Sequence, residues 1–115
     1  MSGDIPNPRP QLVGFLELLA SREKQLDYQR RVPFVNIKNE LLCMWFDDLY
    51  VPEDQIFKRA FSDEELAALR SFNECYEEQA KALKLVPGGI EAWLENDAWA
   101  RVMGKAAETL AQLRT

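Results

Sequence analysis

Apolar residues recur every third or fourth position along most of this chain, which is the spacing of one face of an α-helix. The pattern is clearest from Ser62 to Leu85, where an apolar stripe faces a charged side. Ser62 and Glu65 match the S-x-x-E capping box, in which each side chain bonds the backbone N–H of the other residue. The stretch therefore predicts a long central helix that ends before the proline-glycine turn at residues 86–89.

The same spacing predicts further helices before the central one. The first is expected from Pro10 to about Gln29, because proline suits the first turn of a helix. The second is expected from Asn36, a favoured N-cap residue, to Leu49. A short third helix is expected over residues 52–60, where a proline and two acids resemble a helix start.

These segments predict one all-α domain of five or six helices over residues 11–115. The helices differ in length and prolines mark short connections, so we expect an irregular orthogonal or bundle-like array. Residues 89–113 fit one bent helix or two. Gly104, inside that segment, marks either a close approach between helices or an exposed weak position. Residues 1–10 contain three prolines between polar residues and predict a flexible tail.

The composition agrees with a small globular protein. The chain has 115 residues, of which 47% are hydrophobic and 29% are charged, which is ordinary for one domain. The longest apolar run near the start is too short to cross a bilayer, and it lacks the flanking features of a signal peptide. We therefore expect a cytoplasmic protein without a membrane segment.

Several chemistries are excluded by residue type. The chain contains no histidine, which removes Ser-His-Asp and Cys-His catalysis and His-ligated zinc. It has no P-loop and no G-x-S-x-G motif. Cys43 and Cys75 match no zinc or C-x-x-C spacing, so we expect two buried thiols, with a disulfide as the alternative. A non-catalytic protein without a cofactor is the favoured interpretation.

Negative charge is concentrated on the central helix. The formal net charge is −5, and residues 62–86 hold six acids and three bases. On that helix, Arg70–Glu74 and Glu77–Lys81 have the one-turn spacing of ion pairs. The balance argues against nucleic-acid binding, which needs a basic surface, and suits a basic protein partner.

The stretch from Trp45 to Tyr50 is the strongest candidate for function. Asp47 and Asp48 fall in the last turn of the predicted second helix, where negative charge opposes the helix dipole. Aromatic residues surround them, and Trp and Tyr are enriched in binding hot spots. One interpretation is an acidic-aromatic patch that binds Arg or Lys of a partner. The alternative is that the aromatics are core and that an aspartate caps the next helix or pairs with a base inside the protein. The bases in question are Arg30, Arg31, Lys58 and Arg59.

Three hypotheses for function follow. The first is a protein that binds another, basic protein, as an inhibitor, an immunity-type protein or an adaptor does. The second is a helical enzyme or sensor that binds a metal or a small ligand, with carboxylates as oxygen ligands. The third is a structural subunit that forms homo-oligomers, such as a homodimer. For the first hypothesis the expected contact residues are Trp45, Asp47, Asp48, Tyr50, Glu74 and Glu78.

Overall fold

The computed structural model describes residues 7–113 and contains seven α-helices and no strand in that range. The helices are α1 (Pro8–Leu19), α2 (Arg22–Arg31), α3 (Ile37–Cys43), α4 (Gln55–Ala60), α5 (Asp63–Leu83), α6 (Ile90–Leu94) and α7 (Asp97–Leu113). A π-helical segment, Met44–Leu49, continues α3 without a break. The predicted all-α fold class is confirmed, with seven helices where five or six were expected.

The additional helix arises because the predicted first helix divides near Ser21. The Ser21 side chain accepts a hydrogen bond of 3.1 Å from the backbone N–H of Lys24 and so caps α2. The amide of Gln25, which is fully buried, donates to the carbonyl oxygens of Leu18 and Leu19 at 3.2 and 3.0 Å. Side-chain groups therefore satisfy both new helix ends, which makes the break stable although the apolar pattern runs across it.

The chain becomes helical earlier than expected at its start. The Asn7 side chain accepts the N–H of Arg9 at 3.0 Å, and α1 begins at Pro8. The predicted tail over residues 1–10 therefore overlaps α1 at residues 8–10. Residues 1–6 and 114–115 lie outside the described part of the chain.

Two predicted helix starts are confirmed by their caps, and a third cap settles whether the last segment is one helix or two. Ser62 and Glu65 form both bonds of the capping box, at 3.1 and 2.9 Å. The Asn36 side chain accepts the N–H of Asn39 at 3.2 Å at the start of α3. The Asn96 side chain accepts the N–H of Ala98 at 2.8 Å, so residues 90–113 form two helices, α6 and α7.

The core is built around α7, which packs mainly against α5 and α1. The core contains all three tryptophans, and each indole N–H has an acceptor. Trp93 donates to the carbonyl oxygen of Leu83 at 3.2 Å, and Trp99 donates to the side-chain oxygen of Gln25 at 2.9 Å. Gln25 thus joins the junction of α1 and α2 to α7. Buried donors with partners stabilise a single packing of this aromatic core.

Candidate binding surface around the π-helical segment

The segment predicted as the last turns of the second helix is π-helical. Its hydrogen bond from the N–H of Tyr50 to the carbonyl oxygen of Trp45, at 3.0 Å, spans five residues instead of four. Such segments are rare and occur frequently at functional sites. Within this segment Trp45 is buried, while Asp47 and Asp48 face solvent. The acidic pair flanked by aromatics therefore lies on an unusual local backbone.

Trp45 belongs to the core, which corrects its prediction as a partner contact. Its side chain is 0% exposed. Its ring stacks on Tyr50, with centroids 5.0 Å apart, and meets Phe72 edge-on at 4.8 Å. Its N–H donates to the side-chain oxygen of Asn73 at 2.9 Å. Because the indole is covered on every face, a partner cannot contact it directly. The ring instead supports the residues that lie on the surface above it.

Asp47 and Asp48 are exposed and form no salt bridge with any base among residues 7–113. The expected internal pairing is therefore wrong: Arg30 and Arg31 instead approach Asp27, at 3.6 and 3.0 Å. The alternative role as a cap for the next helix is also wrong. That cap is Asp54, whose carboxylate accepts the N–H of Ile56 at 2.9 Å.

The two cysteines are half-buried, where buried thiols were expected, and neither forms the disulfide that was the alternative. Desolvation is the main cause that raises the pKa of Cys43, followed by the nearby charge of Asp47 and a hydrogen bond to it. Desolvation also raises the pKa of Cys75. A raised thiol pKa lowers the fraction of thiolate, so this environment does not activate either cysteine as a nucleophile.

Tyr50 follows the π-helical segment and packs against the aromatic core. It is half-buried, and its ring also meets Phe57 edge-on at 5.7 Å. Desolvation is the main cause that raises the pKa of Tyr50; the charges of Glu74 and Glu77 raise it further, while Arg70 lowers it. Tyr50 and Glu74 were both predicted as contact residues, but they line different grooves: Tyr50 lies with Lys58 and Arg70, and Glu74 lies with Phe46.

Glu74, Glu77 and Glu78 line a groove of about 530 Å³ with Phe46. We call it the acidic groove; Ala80, Lys81 and Lys84 complete it toward the C-terminal end of α5. All three glutamates are exposed. Phe46 is half-buried, with its ring 4.9 Å from that of Tyr76.

The expected ion pairs on α5 are absent from this groove. Neither Arg70–Glu74 nor Glu77–Lys81 approaches within 4.0 Å in the described part of the chain. Glu77 instead accepts a hydrogen bond of 2.6 Å from the side-chain amide of Asn73. That bond orients the amide so that its oxygen faces the indole of Trp45. Asn73 therefore links the groove to the core.

Only Glu74 and Glu78 of the acidic groove were in the predicted contact set; Phe46, Glu77, Ala80, Lys81 and Lys84 were not. Phe46 lies in the predicted stretch, but its helical spacing indicated a core position. Glu77 was assigned to a surface ion pair with Lys81. The signal that could have identified it is its place beside Glu74 and Glu78, one turn apart on the same face of α5.

Other kinds of site find little support in residues 7–113. No group of three or more Cys, Asp or Glu side chains there is arranged to hold a metal ion. None of the helices in that range combines the length and apolar character that crossing a membrane requires. Comparison of the chain with protein-family models, curated proteins and solved structures finds no match.

Proposed function

We propose that this protein is a non-catalytic binding module that recognises a basic segment of another protein, as an inhibitor, immunity-type protein or adaptor does. One observation supports the proposal above others. Five exposed carboxylates, none with a salt bridge to another described residue, lie either on the π-helical segment or along the acidic groove, and the half-buried ring of Phe46 belongs to both. The carboxylates are Asp47, Asp48, Glu74, Glu77 and Glu78. The cytoplasmic location stays a prediction.

The physical reason is electrostatic. Like charges close together on a surface repel one another, and a partner's cations would relieve that repulsion. An Arg side chain can pair with a carboxylate and also stack on an aromatic face. Charge complementarity of this kind raises the association rate and selects against acidic partners. Phe46 and Tyr50 supply apolar contact area beside the charges.

The homo-oligomer hypothesis has less support. It requires an apolar stripe that a second copy covers. The large apolar side chains that are exposed in residues 7–113 are Phe34, Ile56 and Leu85, at 85%, 39% and 83% exposure. They belong to three separate segments and do not form one helical stripe. Singly exposed apolar residues are normal on a monomer.

The test uses an arginine-rich peptide without apolar residues as the probe. We expect it to bind the protein more weakly as salt rises, and Glu74→Lys to reduce its affinity by about tenfold. The matched control is Glu95→Lys, which makes the same change of charge at an exposed residue after α6, outside the groove. Equal losses for both variants would show a response to net charge alone and would overturn the proposal.

A further inference from the structure

A second groove, with a mostly apolar lining, lies between α1 and the π-helical segment. Its volume is about 420 Å³. We call it the apolar groove. The residues of the π-helical segment that line the apolar groove are not the ones that line the acidic groove. Its lining residues are Gln11, Gly14, Phe15, Leu18, Met44, Asp48 and Leu49.

The α1 side of the apolar groove is one helical face. Gln11, Gly14, Phe15 and Leu18 follow the spacing i, i+3, i+4, i+7, which spans about 10 Å along a helix axis. Phe15 is only 3% exposed and forms the floor. A Cβ atom added to Gly14 would meet nothing within 4 Å, so the glycine leaves the groove open. The groove thus offers two helical turns of contact length.

The opposite wall combines apolar side chains with one charge. Met44 and Leu49 are half-buried, and Met is an adaptable side chain common at peptide-binding surfaces. Asp48 is exposed and lacks a salt bridge within residues 7–113. It lies near the C-terminal end of the helical segment, where the backbone carbonyls add negative potential. This wall is therefore complementary to an apolar surface that carries a cation.

We propose that the apolar groove binds an amphipathic helix of the partner protein, which places apolar anchors over Gly14 and a Lys or Arg beside Asp48. Helices that bind in grooves present anchors at i, i+3, i+4 and i+7, which matches the two turns available on α1. The inference specifies the chemistry of the partner, and it rests on the proposed function for the existence of a basic protein partner.

The probe is a synthetic amphipathic helical peptide with leucines at i, i+4 and i+7 and one arginine in the turn at each end, so that either orientation can reach Asp48. A second peptide carries glutamine in place of both arginines. We expect the arginine peptide to bind and to shift the amide NMR signals of Gly14 and Leu49, with the signal of Gly104 unchanged. The glutamine peptide should bind about threefold to tenfold more weakly.

Two variants examine the groove itself. Gly14→Leu fills the open space and should reduce the affinity by about tenfold or more through steric exclusion. The matched control is Gly104→Leu, since a Cβ at this helical glycine also meets nothing within 4 Å. Asp48→Lys, at an exposed position, should weaken the arginine peptide and leave the glutamine peptide unchanged. Circular dichroism and thermal unfolding verify that each variant is folded.

The outcomes separate the two proposals. If the amphipathic peptide fails to bind while the arginine-rich peptide binds, the apolar-groove proposal is overturned and the proposed function stands. If the amphipathic peptide binds with the expected dependence on Gly14 and Asp48 while the arginine-rich peptide fails to bind, the proposal that the acidic groove binds a basic segment is overturned instead.

Sedimentation that shows a dimer dissociated by Gly14→Leu would assign the apolar groove to a second copy. Binding of a small apolar dye in place of the peptide would assign it to a small molecule. Either result overturns the helix proposal.

Discussion

The guanidinium of Arg9 donates two hydrogen bonds to the carboxylate of Glu65, at 2.8 and 2.7 Å, across 56 residues of sequence. The same guanidinium donates to the carbonyl oxygens of Ala60 and Leu113, at 3.3 and 2.8 Å, and lies 5.4 Å from the centre of the Phe61 ring. One side chain near the start of α1 thus joins the end of α4, the start of α5 and the end of α7. Arg9 is therefore a long-range anchor of the fold.

Replacing Arg9 by alanine should destabilise the protein. The loss of a charge-assisted pair and two carbonyl contacts should lower the free energy of unfolding by about 2 kcal/mol, a value already reduced because Arg9 is one-third exposed. Urea unfolding measures it. Arg31→Ala is the control, because its salt bridge to Asp27 is on the surface and should contribute less than about 0.5 kcal/mol. Equal effects would contradict the anchoring role.

The stability of the protein should fall in acid because of Glu65. The hydrogen bonds from Arg9 are the main cause that lowers the pKa of Glu65 from 4.5 to about 2. A carboxyl group whose pKa is lower in the folded state stabilises that state above the unfolded pKa, and this contribution disappears as the pH falls through the folded pKa. We therefore expect Glu65 to contribute to a loss of stability between about pH 4.5 and 2.

Urea midpoints at a series of pH values measure this loss. Glu65→Gln should be less stable than the natural chain at neutral pH and should have a shallower acid slope. The control is Glu64→Gln, at the exposed neighbouring position in the first turn of α5, which should keep the original slope. If Glu65→Gln leaves the slope unchanged, the loss in acid has another origin.

Replacing Asn73 by alanine should destabilise the protein by leaving a buried donor without an acceptor. The Trp45 N–H would lose its partner in the core, which costs about 1–3 kcal/mol. Glu77→Gln should cost less, because a glutamine oxygen can still accept from the Asn73 amide. Thermal unfolding gives the ranking. The linkage between groove and core would be disproved if Glu77→Gln cost more than Asn73→Ala.

Replacing Gly104 by alanine should stabilise the protein by about 1 kcal/mol, the difference in helix propensity between the two residues. Nothing lies within 4 Å of an added Cβ, so this position is the exposed weak point that was one of two alternatives from the sequence. Gly88→Ala is the contrast, since its φ of 93° is strained for any residue with a side chain. We expect Gly88→Ala to lower the melting temperature and Gly104→Ala to raise it.

Where the sequence predicted this fold correctly, the deciding partners are near in the chain. The capping box of Ser62 and Glu65 and the cap of Asn36 each join residues three positions apart. Apolar spacing likewise reports on one helix at a time. The single predicted helix over Pro10 to Gln29 failed because Gln25 bonds both to the end of α1 and to Trp99, which is 74 residues away.

The helical class, the caps of α3 and α5 and the excess of negative charge on α5 follow from the sequence alone, since these depend on residue type and on contacts within a turn. Three features come only from the packing of distant segments: Trp45 is buried, Asp47 and Asp48 face water, and Phe46 lines a groove with Glu74. The burial and pairing of a side chain depend on which segments pack around it, and no local pattern records that choice.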